Sequence, residues 1–496
     1  MRRRTMIRML TLTLCLLSAS RLVTTPSVYA DDRPNVLLIS IDDLNDWVGC
    51  LGGHPQAITP NIDRLSTQGV LFENAHCQSP VCNPSRASMM TGRYPHTTGI
   101  YFLSPDLKAA PALEGVLTMP EAFAANGYRT MATGKIFHTG GKRFFQEYNR
   151  VGGFGPRPDK KLSQPHGHPL WDWGAFPDRD EDMPDVRSAR WAAEKLSKEH
   201  EQPFFMGVGF YRPHVPMYVP QKWFDMHPQD KIRLPEVRDD DRDDLSQYAI
   251  DLTNRMHVSP THQWVTEAGQ WEHAVQAYLA SVTFVDHCVG MVLDALESGP
   301  HAENTIVVLF SDHGFHLGEK QRWAKRSLWE DGTRVPLIIA GPRSQSSRLF
   351  GTVPTRRVTQ PAELIDVFPT LLELAGLPAD DEQEGNSLVP LMTGESESWN
   401  HPAITTFGRG NVAVRSERFR FIEYVDGSRE LYDLQSDPHE WTNLATNPEY
   451  ADVIARHAAF IPAEQQPILE GESTGHNAYA AAKDNLASPN LSPTKE

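Results

Sequence analysis

A chain of 496 residues, 40% of them apolar, is too long for one small domain and has the size and core material of a large α/β enzyme with an appendage. Its formal net charge of −16 excludes a general nucleic-acid binder. Any anionic substrate must therefore be drawn by a local cluster of positive charge.

Residues 1–30 read as a secretory signal peptide: arginines, a short apolar run from about Met9 to Ala19, then small residues before a cut after Ala30. That run is too short and too rich in Thr and Ser to span a membrane, and no other stretch reads as a span. The expectation is an exported protein, periplasmic or secreted. Cys50, Cys77, Cys82 and Cys288 remain after cleavage and allow three pairings, among which the sequence does not choose.

Apolar, β-rich runs then recur as NVLLISI (35–41), YRTMATG (128–134), FFMGVGF (204–210), TIVVLF (305–310) and VPLIIAG (335–341). Helical patterns stand between them, among them TPNIDRLSTQGV, TMPEAFAANG and AVQAYLASVTFVDHCVGMVLDALES. Continuous apolar strands alternating with helices predict a large, mainly parallel sheet covered on both faces. About 150–190 is rich in Gly, Pro, Asp and Trp without a period, and RDDDRDDLSQ (238–247) reads as a solvated loop. Beyond about residue 395 short alternating strands predict a small antiparallel sheet. The expected organisation is a catalytic domain over 31–395, a C-terminal α+β subdomain over 396–470 and a poorly ordered tail over 471–496.

Polar residues follow the strands. The first ends in Asp42 and Asp43, the second leads to Lys135 and His138, the third to His214, and the fourth to Asp312 and His313. In an open parallel sheet these ends share one edge, where ligands bind. Three converging carboxylates suggest a divalent cation, Ca²⁺ or Mg²⁺, although His313 adds an imidazole that prefers softer metals. Cys82 belongs to the same face. Pro84 suits a first helical position, which puts Ser85 and Arg86 in the first turn. An arginine there opposes the helix dipole unless an anion, or a charged group made from Cys82, sits at that end. A thiolate nucleophile is equally compatible with those surroundings.

CNPSR followed by ASMMTGRYPHTTGI resembles the signature of the type I sulfatases, and NVLLISIDDL, SDHG and ELYDLQSDPHEWTNL extend the likeness from about Asn35 to Leu444. Within that family GKIFH, YRPHVPMYVP and DHGFHLGEKQRWAK are most similar to the iduronate-2-sulfatases. The resemblance implies an alkaline-phosphatase-like fold and a sulfated saccharide substrate. It also implies one cation, most simply Ca²⁺, on Asp42, Asp43, Asp312, position 82 and His313. Cys82 would be oxidised to formylglycine by a maturation enzyme. One hydroxyl of its hydrate attacks sulfur, and the other, deprotonated by His138, expels sulfate. Arg86 and Lys135 would neutralise the sulfuryl and position-82 oxygens, with Lys325 on the sulfate from the other side; His214 or Lys325 would assist the leaving alcohol. Two alternatives stand beside this: a phosphoester or phosphonate hydrolase of the same superfamily, and a non-catalytic binder of sulfated glycan.

Overall fold

Every residue of NVLLISI is buried, as expected of a strand covered on both sides, and it forms β1 (Asn35–Ile41) at the centre of the sheet. The computed structural model describes residues 33–163, 170–253, 259–342, 356–395, 398–473, 475, 476 and 479. The expected signal peptide and most of the expected tail lie outside the described residues. In chain order follow α1 (Pro60–Ser66), β2 (Val70–Phe72), α2 (Cys82–Thr91), α3 (Met119–Ala125), β3 (Arg129–Thr133) and β4 (Glu147–Asn149). Then come α4 (Pro184–Leu196), β5 (Phe204–Phe210), α5 (Trp271–Ser298), β6 (Thr305–Ser311), β7 (Leu337–Ala340), β8 (Arg356–Val358) and α6 (Val367–Leu374).

Eight strands order as β8-β2-β7-β6-β1-β5-β3-β4. All pair in parallel except β7, which runs against both β6 and β2. VPLIIAG is thus the antiparallel member of a mainly parallel sheet. Side chains alternate across β1: Leu37, Ile39 and Ile41 join a core under α1, α4 and α5, while Val36 and Leu38 join one under α2, α3 and α6.

The aperiodic stretch at 150–190 hides the start of α4, whose first helical position is Pro184. By length and composition α5 could cross a membrane, but 78% of its most apolar window is buried in the fold. That burial marks it as a core helix.

The C-terminal strands β9 (Ala403–Thr406), β10 (Val412–Arg415), β11 (Phe419–Glu423) and β12 (Arg429–Asp433) form an antiparallel sheet in sequential order. It braces the segment that leads into α2. Thr405 Oγ1 donates to the Cys77 carbonyl at 2.6 Å and the Thr406 amide to the Gln78 carbonyl at 2.9 Å, just ahead of Cys82. The tail does not leave the fold at residue 471 among the described residues. The Gln466 and Leu469 amides donate to the carbonyls of His96 and Gly99, and the His476 ring lies 4.8 Å from that of Phe102.

Candidate active site

Parallel pairing sets Ile41 level with Ser311 and Phe210, so Asp42, Asp43, Asp312, His313 and the 211–215 loop emerge together. The next strand, β3, leads to Lys135. Its approach depends on glycine: a Cβ on Gly209 would lie 2.3–2.5 Å from Lys135 backbone atoms, and Gly134 takes a positive φ of 69°. The glycines in FFMGVGF therefore let the lysine loop lie flat against the strand.

Cys82 is the first residue of α2, two positions earlier than Pro84 implied, and its side chain is buried at the helix N-terminus. Its Sγ lies 3.2 Å from His313 Nε2 and 3.4 Å from Lys325 Nζ. Burial opposes a thiolate there, but Lys135 and Lys325 outweigh it and hold the group well below the usual thiol range. Lys135 is paired with Asp42 and Lys325 with Asp43. The carboxylates are thus interleaved with lysines.

Arg86 also departs from expectation. It does not line the cavity above Cys82. Its side chain is 1% exposed, with Nε donating to Asp312 at 2.8 Å and Nη2 to Asp42 at 3.2 Å. Nη1 donates to Ser40 and to the carbonyls of Lys135 and Ile136. It is a positioning residue that locks two carboxylates and the lysine loop together.

The cavity has a volume of about 420 Å³ and is lined by Asp43, Cys82, Lys135, His138, His214 and Lys325. His214 stacks on Phe154 with centroids 4.7 Å apart, and its Nδ1 is bonded to the Val215 carbonyl. Burial, then Lys325, keeps its ring neutral, well below the usual imidazole range. His138 lines the cavity and is half-buried, its buried Nδ1 without a hydrogen-bond partner. Asp42, Asp312, His313 and Arg86 pack beneath the floor, so the structure gathers every residue predicted from sequence. It adds walls that the sequence did not single out: Phe154, Trp171, Phe315, Arg326, Glu472 and Ser473. The Trp-rich composition at 150–190 and the Lys-Arg pair at 325–326 were the available signals; Glu472 had none.

The donor set fits a divalent cation. Asp42, Cys82, Asp312 and His313 offer ligand atoms within 4.8 Å of one another, and Asp43 Oδ2 is buried without a hydrogen-bond partner. The four described cysteines, Cys50, Cys77, Cys82 and Cys288, are all free.

Comparison with known proteins agrees with this geometry. The profile described as Sulfatase matches residues 34–377, and one described as N-sulphoglucosamine sulphohydrolase, C-terminal, matches 318–465. A sulfatase of Formosa agariphila is 42% identical over 87% of each chain. A Δ4,5-hexuronate-2-O-sulfatase of Bacteroides thetaiotaomicron is 30% identical over 88% of this chain and 89% of its own. The iduronate 2-sulfatase of Homo sapiens is 33% identical over 70% of each. A solved 2-O GAG sulfatase superposes with a TM-score of 0.64 at 25% identity, covering 94% of this chain and 95% of that one. The phosphonate monoester hydrolase of Agrobacterium radiobacter, 22% identical, shares the fold with a TM-score of 0.70 over 86% of this chain and 94% of its own.

Proposed function

The chain belongs to the sulfatase family, and from that membership we propose that it removes the 2-O-sulfate of a uronate in a sulfated saccharide, using a formylglycine made from Cys82. The observation that carries this reading is the place of Cys82, at the floor of a sugar-sized cavity, between two lysines and beside three carboxylates. The names of relatives similar over most of their length support the 2-O-sulfated uronate.

Asp42, Asp43, Asp312 and His313 would hold one divalent cation, for which the oxygen-rich set favours Ca²⁺; when bound, it withdraws charge from the sulfuryl oxygens. The charges balance in support. Three carboxylates face Arg86, Lys135 and Lys325, so two added positive charges match a sulfate ester together with an ionised nucleophile. Lys135 and Lys325 flank position 82 and bind the sulfate from two sides.

Lys325 is the better proton source for the leaving alcohol. Burial opposes its charge, but Asp43 outweighs that and keeps it protonated, whereas His214 is neutral. His138, lining the cavity with a ring nitrogen that has no hydrogen-bond partner, takes the proton that releases sulfate from position 82. Export would bring the chain to the compartment of such substrates, and the maturation enzyme would act on the CNPSR segment before folding buries it.

Sulfate release from defined disaccharides, each carrying one sulfate at uronate 2-O or at glucosamine N, 3-O or 6-O, tests the proposal. Turnover at uronate 2-O at least 100-fold above the rest is expected. Preference for another position would overturn the substrate. Hydrolysis of phosphonate esters without sulfate release, or binding without turnover by matured protein, would overturn the reaction.

A further inference from the structure

We infer that a second cation site, separate from the Cys82 cluster, lies between His316, Glu319 and Asp331 and takes a first-row divalent ion such as Zn²⁺. Their ligand atoms lie within 4.8 Å of one another, and His316 Nδ1 is 3.8 Å from Asp331 Oδ2. Two donors bound at about 2.0–2.2 Å to one ion are at most about 4.4 Å apart. In the tetrahedral arrangement that Zn²⁺ takes, that spacing is about 3.4 Å, so closure by up to about 1.4 Å completes the set.

The histidine is what marks this as a ligand site and not merely an acidic pair. His316 is fully buried, and its Nδ1 has no hydrogen-bond partner. Its Nε2 is 2.6 Å from Ser327 Oγ. In the tautomer whose Nε2 donates to that hydroxyl, Nδ1 carries the lone pair and can take an ion, as when an outer partner sets a metal-binding imidazole. Glu319 is oriented too, since its Oε2 accepts the Leu317 amide at 2.6 Å.

Charge points the same way. The neighbouring carboxylates have arginines: Asp46 pairs with Arg334, Glu330 with Arg415 and Arg420, and Glu440 with Arg420. Among the described residues neither Glu319 nor Asp331 has a lysine or arginine ion pair. One imidazole with two carboxylates suits Zn²⁺, whereas Ca²⁺ seeks six to eight oxygens. Asp331, with its side chain 33% exposed, gives the ion a way in and room for water as a further ligand. The ion would tie together residues 316, 319 and 331, closing the segment that carries Lys325.

Protein stripped with chelator and reloaded with Zn²⁺ alone is assayed for bound zinc, and crystals of it are examined by anomalous scattering at the zinc edge. An anomalous peak at His316, Glu319 and Asp331 is expected. Glu319→Gln/Asp331→Asn protein should bind about one equivalent less than wild type, while Asp42→Ala/Asp312→Ala protein keeps that equivalent. Absence of the peak in wild-type crystals would overturn the site whether or not the variants fold. Equal zinc in wild type and the Glu319→Gln/Asp331→Asn variant would do the same.

Discussion

Arg86 holds one guanidinium, almost fully buried, against two carboxylates, so its contribution depends on fork geometry more than on charge. Lysine offers a single point charge that cannot span Asp312, Asp42 and two carbonyls at once. Arg86→Lys should therefore leave Asp42 or Asp312 uncompensated. Urea unfolding should show a loss of roughly 3–5 kcal/mol, the range for a broken buried pair, with turnover down at least 100-fold. An unchanged unfolding midpoint would contradict the positioning role. Lys325 and His138, which act on either side of the position-82 intermediate, separate by half-reaction. Lys325→Ala should slow sugar sulfates far more than an activated aryl sulfate, which leaves without a proton. His138→Ala should accumulate a sulfated position-82 adduct, visible by rapid quench and mass spectrometry, with either substrate. Adduct in Lys325→Ala and none in His138→Ala would reverse the two assignments.

Between residues and fold stand the elements that set distances, and here the sequence was only partly legible. Continuous apolar strands made β1, β5 and β6 visible, and their common polarity predicted that Asp42, His214 and Asp312 would meet. Direction was not encoded in the same way. VPLIIAG has the composition of its parallel neighbours, yet β7 is antiparallel, because a strand buried on both faces carries the same pattern either way. Alternation likewise does not reveal which cavity an irregular segment lines, so Phe154, Trp171 and Glu472 escaped. Arg86 was placed in the right cluster with the wrong orientation, since spacing gives proximity and not the direction of a long side chain. Gly209 could have been read sooner: two glycines in a buried strand signal close backbone approach. Gly209→Ala would push the Lys135 backbone away from contacts of 2.3–2.5 Å. Turnover should fall about 100-fold, the scale of a 1 Å misplacement, while the Cys82 peptide is matured as in wild type. Wild-type turnover would show that the loop needs no such approach.

At the scale of the whole molecule, the buried carboxyl of Glu363, away from the active site, contributes stability that falls as pH rises. Burial, with Asp366 beside it, pushes Glu363 from an ordinary 4.5 up to about 8. Tyr94 and the Ile404 amide donate to it. The folded state holds this proton more tightly than the unfolded chain. The stabilisation is therefore complete below about pH 4.5 and is lost as pH rises toward 8. Urea midpoints of wild type should decline across that window, and Glu363→Gln should flatten the decline; an identical slope in the variant would place the titration elsewhere.

The whole account rests on the chemistry at residue 82, and its most direct test is the mass of the peptide containing CNPSR from active protein, measured across preparations that differ in maturation. The predicted result is a residue converted from cysteine to formylglycine or its hydrate, with sulfate release from a 2-O-sulfated uronate disaccharide proportional to the converted fraction. Full activity in protein that carries only the unmodified Cys82 thiol would contradict it.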